Sequence, residues 1–200
     1  MKTLLQLNSS IFSSGGQSSQ LADQFVAAWQ ANHPEGQIIL RDLANDPLPH
    51  LDASHVSAFF TPPEDRTLEQ RTLVEISDQL INEIKQADVL VIGLPMYNFG
   101  IPSTLKAYFD QIARVGVTFR YTETGPVGML VGKTVRIFAT RGGAYAGTAL
   151  DTQTGYVRNF LGFIGITEVE FVYAENLNRN EELKEAALIE AKHRLLELAA

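Results

Sequence analysis

Residues 89–92, Val-Leu-Val-Ile, form an unbroken apolar run in which three of the four side chains are β-branched, with Pro95 three positions on. A run with no polar alternation needs burial on both faces, which a parallel sheet covered by helices supplies. Pro95 has no N–H for a ladder and ends the strand. Met96-Tyr97-Asn98-Phe99-Gly100 then makes a loop. Pro102 marks the first turn of a helix with Leu105, Phe109 and Ile112 as its apolar stripe. A loop leaving the carboxyl end of a central parallel strand is where open α/β sheets bind ligands. This loop has no charged nucleophile, no metal cluster and no acid–base pair. It has backbone amides, one Asn and aromatic faces, which suit a flat ring with polar edges.

The flanking segments alternate in the same style. Thr3 to Leu7 reads as a first buried strand running into a Ser- and Gly-rich loop over 8–19. A first helix follows, with Leu21, Phe25, Ala28 and Trp29 on one stripe and Pro34 at its end. A strand, a Ser/Gly loop and a helix start together make an anion site from unpaired N–H groups, the macrodipole and hydroxyls. Taken alone, the same loop reads first as a flexible connection with Ser18 as helix cap. It matches neither GxGxxG nor GxxxxGK[ST], so any phosphate it holds is held by neutral donors.

Gln37 to Leu40 is a second strand. The Pro- and Asp-rich stretch 44–66 is too long for an ordinary connection and belongs to the class of loops that carry function or move. His50 and His55 in it read as solvated residues without metal-ligand spacing, and Phe59-Phe60 either anchors the segment or covers a ligand. Thr67 to Gln70 is a capping box opening a helix with Leu73, Ile76, Leu80 and Ile84 inward. Gly116 reads as a helix stop, 117–130 as a hairpin turning at Gly125-Pro126, and Thr134 to Thr140 as a fourth strand. That strand empties into a second glycine-rich loop, 141–147. A helix over about 154–164, a strand at 168–173 and a helix at 181–199 complete the pattern, with His193 off the last helix's stripe.

The alternation predicts a doubly wound parallel sheet of order 2-1-3-4-5 with an inserted hairpin, one flavodoxin-like domain over residues 1–200. That order puts the topological switch between the first and third strands, so the loops after strands one, three and four line one crevice. The net charge of −7 and pI near 5.1 argue against nucleic acid as a partner. With no cysteine, disulfides, thiolate metal sites and cysteine nucleophiles are excluded. The apolar start stops at Leu7, too short for a signal h-region or a membrane span, so a cytoplasmic protein without membrane or metal partners is expected.

At PMYNF (95–99), GVTFRYTETGP (116–126), Arg141-Gly142-Gly143 and LGFIGI (161–166), the chain resembles the FMN-dependent NADH:azoreductase family within the flavodoxin-like quinone reductases. The resemblance spans nearly the whole chain. It implies that Ser10, Gly16, Gln17 and Ser18 hold the FMN phosphate. Met96, Tyr97, Asn98 and Phe99 would cradle the isoalloxazine, and Thr140, Arg141, Gly142 and Gly143 would line its pyrimidine side. Gly16 and Thr140 stand where members often have Ser. The resemblance also implies a homodimer, with Phe60, Tyr121 and Phe163 walling the substrate site of the other subunit. It implies ping-pong transfer from NADH or NADPH to quinones, or to azo compounds cleaved to two amines, with no catalytic acid or base from the protein. A non-catalytic flavodoxin-type electron carrier is the alternative of a different class. A receiver domain lacks its acceptor Asp at Gly93-Leu94-Pro95, and a serine hydrolase lacks its GxSxG elbow.

Overall fold

The computed structural model describes residues 2–199. Five parallel strands stand in the order β2-β1-β3-β6-β7, where β1 is Thr3–Asn8, β2 Gln37–Asp42, β3 Val89–Pro95, β6 Thr134–Thr140 and β7 Glu168–Ala174. β4 (Phe119–Thr122) and β5 (Gly125–Gly128) form a separate antiparallel hairpin. The expected doubly wound order and its switch between β1 and β3 are therefore present.

Alternation along each strand sends side chains to opposite faces. Leu5, Leu7, Leu90, Ile92, Val135 and Ile137 pack in one core with α3 (Leu68–Gln86), α4 (Ser103–Ile112) and α5 (Thr152–Phe163). Leu4, Val91, Phe138 and Val172 pack in the other with α1 (Gln17–Asn32) and α6 (Glu181–Ala199). Each fully buried Leu or Phe contributes about 1.5–3 kcal/mol. The polar Gln6 within β1 is accommodated because its amide donates to Asp23 of α1 at 2.6 Å and to Asn8 at 3.2 Å. The Thr67 capping box opens α3 as expected, with bonds of 3.0 and 3.2 Å.

Several local expectations are corrected. Segment 44–66 contains a helix, α2 (Ala53–Phe60), capped by Asp52, whose carboxylate accepts the His55 N–H at 3.0 Å. His55 is buried rather than solvated, its Nδ1 2.7 Å from Asp52 and its ring edge-on to Phe59. An eight-residue helix between proline clusters has too little periodicity to be legible in sequence. Phe59 lies under the Arg114 guanidinium, whereas Phe60 projects outward. Pro102 occupies the N-cap of α4, and Gly116 serves not as a helix stop but as a positive-φ position (78°) four residues beyond the end of that helix. The hairpin turns at Glu123-Thr124; Pro126 is a strand residue paired with Tyr121. Ser18 is the second residue of α1, not its cap, which is Gly16.

One contact sets the height of α1 above the sheet. A Cβ on Gly93 would lie 3.0 Å from the Ser18 carbonyl oxygen and 3.3 Å from the Ser19 nitrogen, so the absence of a side chain lets the helix start rest on β3. Gly93→Ala is expected to cost about 2 kcal/mol as overpacking, lowering Tm by roughly 4–8 °C for a chain of this size. Calorimetry showing an unchanged Tm would mean that α1 is not held at that distance.

Candidate functional site

The loops after β1, β3 and β6 meet at the carboxyl edge of the sheet around two adjoining hollows of about 270 Å³ each, which share Met96, Gly142 and Asn178. The first reaches from Thr140 and Met96 to Ser10, Gly16 and Gln17; the second is closed by Asn98, Phe99 and Tyr145. Among the described residues no carboxylate and no histidine lines either hollow. No cluster of metal-ligating side chains occurs among the described residues.

At the β1 end, α1 begins without a capping side chain, because Gly16 at its N-cap has none. The first-turn N–H groups of an α-helix have no intrahelical acceptor, so they remain to be satisfied from outside. The Ser18 and Ser19 hydroxyls are buried without a partner. A Cβ at Gly16 would come within 2.2 Å of Ser10 Oγ and 2.6 Å of Ser10 Cβ, so glycine lets the loop fold tightly over Ser10. Ser10 Oγ accepts the Phe12 N–H at 3.2 Å and lies 3.3 Å from the Tyr97 hydroxyl, which also accepts the Ile11 N–H. Tyr97 thereby ties the β3 loop to the β1 loop.

The β3 loop is a two-residue turn. Tyr97 and Gly100 exchange N–H···O bonds of 3.1 and 2.9 Å, and the central residues Asn98 and Phe99 have φ of 50° and 64°. Positive φ at both central positions defines the type I′ geometry, which Asn tolerates and Phe does not favour. The strain is held from below by the buried Gln153 of α5, whose amide donates to the Pro95 carbonyl at 2.9 Å and the Gly100 carbonyl at 3.3 Å. Thr152 Oγ1 donates to the Phe99 carbonyl, and the half-exposed Phe99 ring meets Tyr145 edge-on at 5.6 Å. An aromatic and an amide are thus presented outward on a clamped backbone.

Arg141 behaves differently from the expectation that it faces a ligand. Its side chain is fully buried, bonded to Asp151 at 2.8 Å, Thr154 at 3.0 Å and Glu175 at 3.2 Å, with its guanidinium over the Tyr173 ring. Its N–H donates to Ala174 and its carbonyl accepts from Leu177. Arg141 therefore braces the loop rather than offering a charge to the crevice. Glu175 also accepts the Tyr145 and Ala146 N–H groups, both at 2.8 Å, and fixes the 144–146 turn. Burial raises the Asp151 pKa, but bonds from the Thr154 N–H, Arg141 and the Thr154 hydroxyl outweigh it and hold the carboxyl below its ordinary range.

Of the residues that the sequence nominates, Ser10, Gly16, Gln17, Met96, Tyr97, Asn98, Phe99, Thr140 and Gly142 come together around the hollows, with Arg141 lining the first while its charged end is buried against Asp151 and Glu175. Ser18 lies just behind the wall, fully buried. Gly143 packs against Tyr145 and accepts the Asn176 N–H. Phe60 and Tyr121 are elsewhere in this chain, in an apolar hollow of about 310 Å³ with Phe119 and Arg114. Phe163 is packed against Phe119, ring centroids 4.2 Å apart, and lines none of these hollows. Gln153, Asn178, Tyr145 and Lys184 escaped sequence reading, since nothing local marks a Gln or Asn that acts across the fold.

A model of the Flavodoxin_2 family, described as a flavodoxin-like fold, matches residues 1–199. The chain is 55% identical over 195 residues to a Cellvibrio japonicus protein named FMN-dependent NADH:quinone oxidoreductase, covering 98% of this chain and 97% of that one. An azoreductase from Bacillus anthracis superposes with a TM-score of 0.91 at 28% identity, covering 100% of this chain and 99% of the other. A B. anthracis FMN-dependent NADH-azoreductase solved in complex with FMN gives a TM-score of 0.88 at 26% identity, with 100% of each chain covered.

The Arg141 network yields a pH-dependent expectation. Asp151→Asn keeps an N-cap acceptor for the Thr154 N–H while removing the charge that faces Arg141. Breaking such a buried pair costs about 3 kcal/mol, with Glu175 left to compensate in part. Because the folded carboxyl titrates below its unfolded value of about 4, its contribution is complete above that value and is lost as pH falls through the lower folded pKa. Thermal melts against pH are expected to show a lower Tm for Asp151→Asn near neutrality and a shallower loss in acid. Parallel curves for the two proteins would contradict this account.

Proposed function

The chain belongs to the Flavodoxin_2 family, and from that premise we propose that the crevice binds FMN and that the protein is an FMN-dependent NADH:quinone oxidoreductase. The observation that carries the reading is the chemistry of the donor set. Unsatisfied N–H groups and the buried, partnerless Ser18 hydroxyl at the start of α1 suit a phosphate. The clamped Asn98-Phe99 turn and the Gly142 backbone suit a flat heterocycle with polar edges. FMN, when bound, would supply the two-electron redox chemistry between NADH and the acceptor.

The chain's residues bind and orient. Gly16, Gln17 and Ser18 hold the phosphate at the positive end of α1, Ser10 completes that pocket, and Tyr97 joins it to the ring-binding turn. Gln153 keeps the turn in one geometry, so little reorganisation is needed when NADH or an acceptor settles against it. Backbone N–H groups near Gly142 and Gly143 favour negative charge at the adjacent edge of the ring. With no carboxylate or histidine lining the hollows among the described residues, protons come from water. One open mouth serves NADH and then the acceptor, which is ping-pong kinetics. An azo compound accepts in the same place, and two rounds cleave its N=N bond to two amines.

A dimer completes the site in this reading. Phe60 and Tyr121 are 71% and 72% exposed beside an apolar hollow, large surface for one chain to leave open. A second copy seated there would carry Phe60 and Tyr121, backed by Phe163, toward the neighbouring crevice. Light scattering is expected to give twice the chain mass of 22.1 kDa at micromolar concentration. A fully active species of the single mass would exclude the shared site.

The cofactor reading is checked by absorbance and by one substitution. The purified protein is expected to show flavin bands that anaerobic NADH removes, and steady NADH turnover with a quinone separates the enzyme from an electron carrier. Ser18→Ala removes a buried hydroxyl that lacks a partner without cofactor, so the apoprotein's Tm should hold or rise slightly. FMN affinity should fall several-fold, about 1 kcal/mol, while riboflavin, lacking phosphate, binds as before. Equal losses for the two flavins would place the phosphate elsewhere.

A further inference from the structure

Lys184 stands on the first turn of α6, where the preceding Asn180 side chain accepts the Leu183 N–H at 2.8 Å. α6 and α1 pack side by side on one face of the sheet, Ala191 and Leu195 sharing a core with Leu21 and Phe25. The starts of the two helices consequently adjoin, and Lys184 lines the same hollow as Ser10, Gly16 and Gln17. The other cation lining that hollow, Arg141, is committed to Asp151 and Glu175. Among the described residues Lys184 has only the exposed Glu181 as partner, at 3.0 and 3.4 Å. An exposed ion pair of this kind is weak and easily exchanged.

The placement is electrostatically unfavourable for a lone cation. Helix N-termini carry partial positive charge, and Lys184 lies at one such end and beside another. An anion between them reverses the sign of both terms, and the buried Ser18 hydroxyl behind the same wall is a donor without an acceptor among the described residues. We propose that Lys184 is a cofactor-binding residue. Its ammonium leaves Glu181 and contacts the phosphate monoester of FMN at the start of α1, supplying the one charge-assisted bond in an otherwise neutral pocket. Glu181 acts as the counter-ion that the phosphate displaces. The inference rests on the FMN reading above but asks a separate question of it.

The test is fluorescence titration of apoprotein with FMN and with riboflavin, at low and high salt, for the native chain, Lys184→Gln, Lys184→Arg and Glu181→Gln. Lys184→Gln is expected to weaken FMN about five- to twentyfold at low salt, with riboflavin changed less than about twofold. The deficit narrows as salt rises. Lys184→Arg keeps most of the FMN affinity, and Glu181→Gln, which frees the ammonium without altering it, tightens FMN about two- to threefold. FMN binding unchanged at low salt in both Lys184→Gln and Glu181→Gln overturns the proposal. So does an equal loss of both flavins in Lys184→Gln, which signals packing alone. A native chain that binds neither flavin refutes the cofactor reading itself, a result distinct from either of these.

Discussion

The buried guanidinium of Arg141 is the interaction on which the carboxyl edge of the sheet depends. It leaves the end of β6 and reaches Asp151 at the start of α5 and Glu175 at the end of β7. Through Glu175 it also fixes the turn at Tyr145 and Ala146. Desolvating one arginine and two carboxylates is costly and is repaid only by good geometry and additional hydrogen bonds. Here Thr154, the Thr154 N–H, the Tyr173 ring and two loop N–H groups supply them. The consequence for function is spatial. The Arg141, Asp151 and Glu175 charges are gathered behind the crevice wall, and apart from Lys184 the surface facing a ligand is left to amides, hydroxyls and aromatic faces.

α5 links that network to the ring-binding turn. Asp151 caps the helix, Thr152 and Gln153 on its first turn hold the 97–100 turn, and Thr154 returns to Arg141. Four consecutive residues thus transmit the position of the charge network to the backbone of Asn98 and Phe99. Positive φ at Phe99 costs on the order of 1 kcal/mol or more and persists only where the surroundings over-determine it. The anchoring by Gln153, at Gly100 of the turn and at Pro95 where β3 ends, is that over-determination.

The sheet order, the strand bounds and the shared crevice were legible because they rest on long, strongly periodic or uniformly apolar segments. Val89–Ile92 could be nothing but an internal strand, and Thr134–Thr140 and 181–199 matched their observed limits. What escaped was of two kinds. Helix α2 is short and bounded by prolines, so its pattern never rises above loop composition, and its buried His55 reads as solvated for the same reason. The roles of Arg141 and Gln153 depend on partners 10 to 58 residues away in sequence, which no local pattern encodes. The glycines of Arg-Gly-Gly mark the loop as one whose backbone a ligand can approach, but nothing local shows that the Arg141 charge points inward to Asp151 and Glu175.

The glycines show how close approach was distributed between structure and site. Gly93 lets α1 settle on β3, Gly16 lets the first loop close over Ser10, and Gly142 leaves room for Asn178, whose amide nitrogen would lie 2.7 Å from a Cβ there. Each spares a side chain at a boundary between two loops or a loop and a helix. A Ser at position 16 would add a donor, but it would also displace Ser10 unless the loop opened. The pocket therefore exchanges a possible hydroxyl for compactness, and in a compact pocket a nearby cation acts through less water and at higher effective strength. Lys184, reaching in from α6, occupies the side of the hollow from which such a charge can act without entering the ring-binding region formed by Asn98 and Phe99.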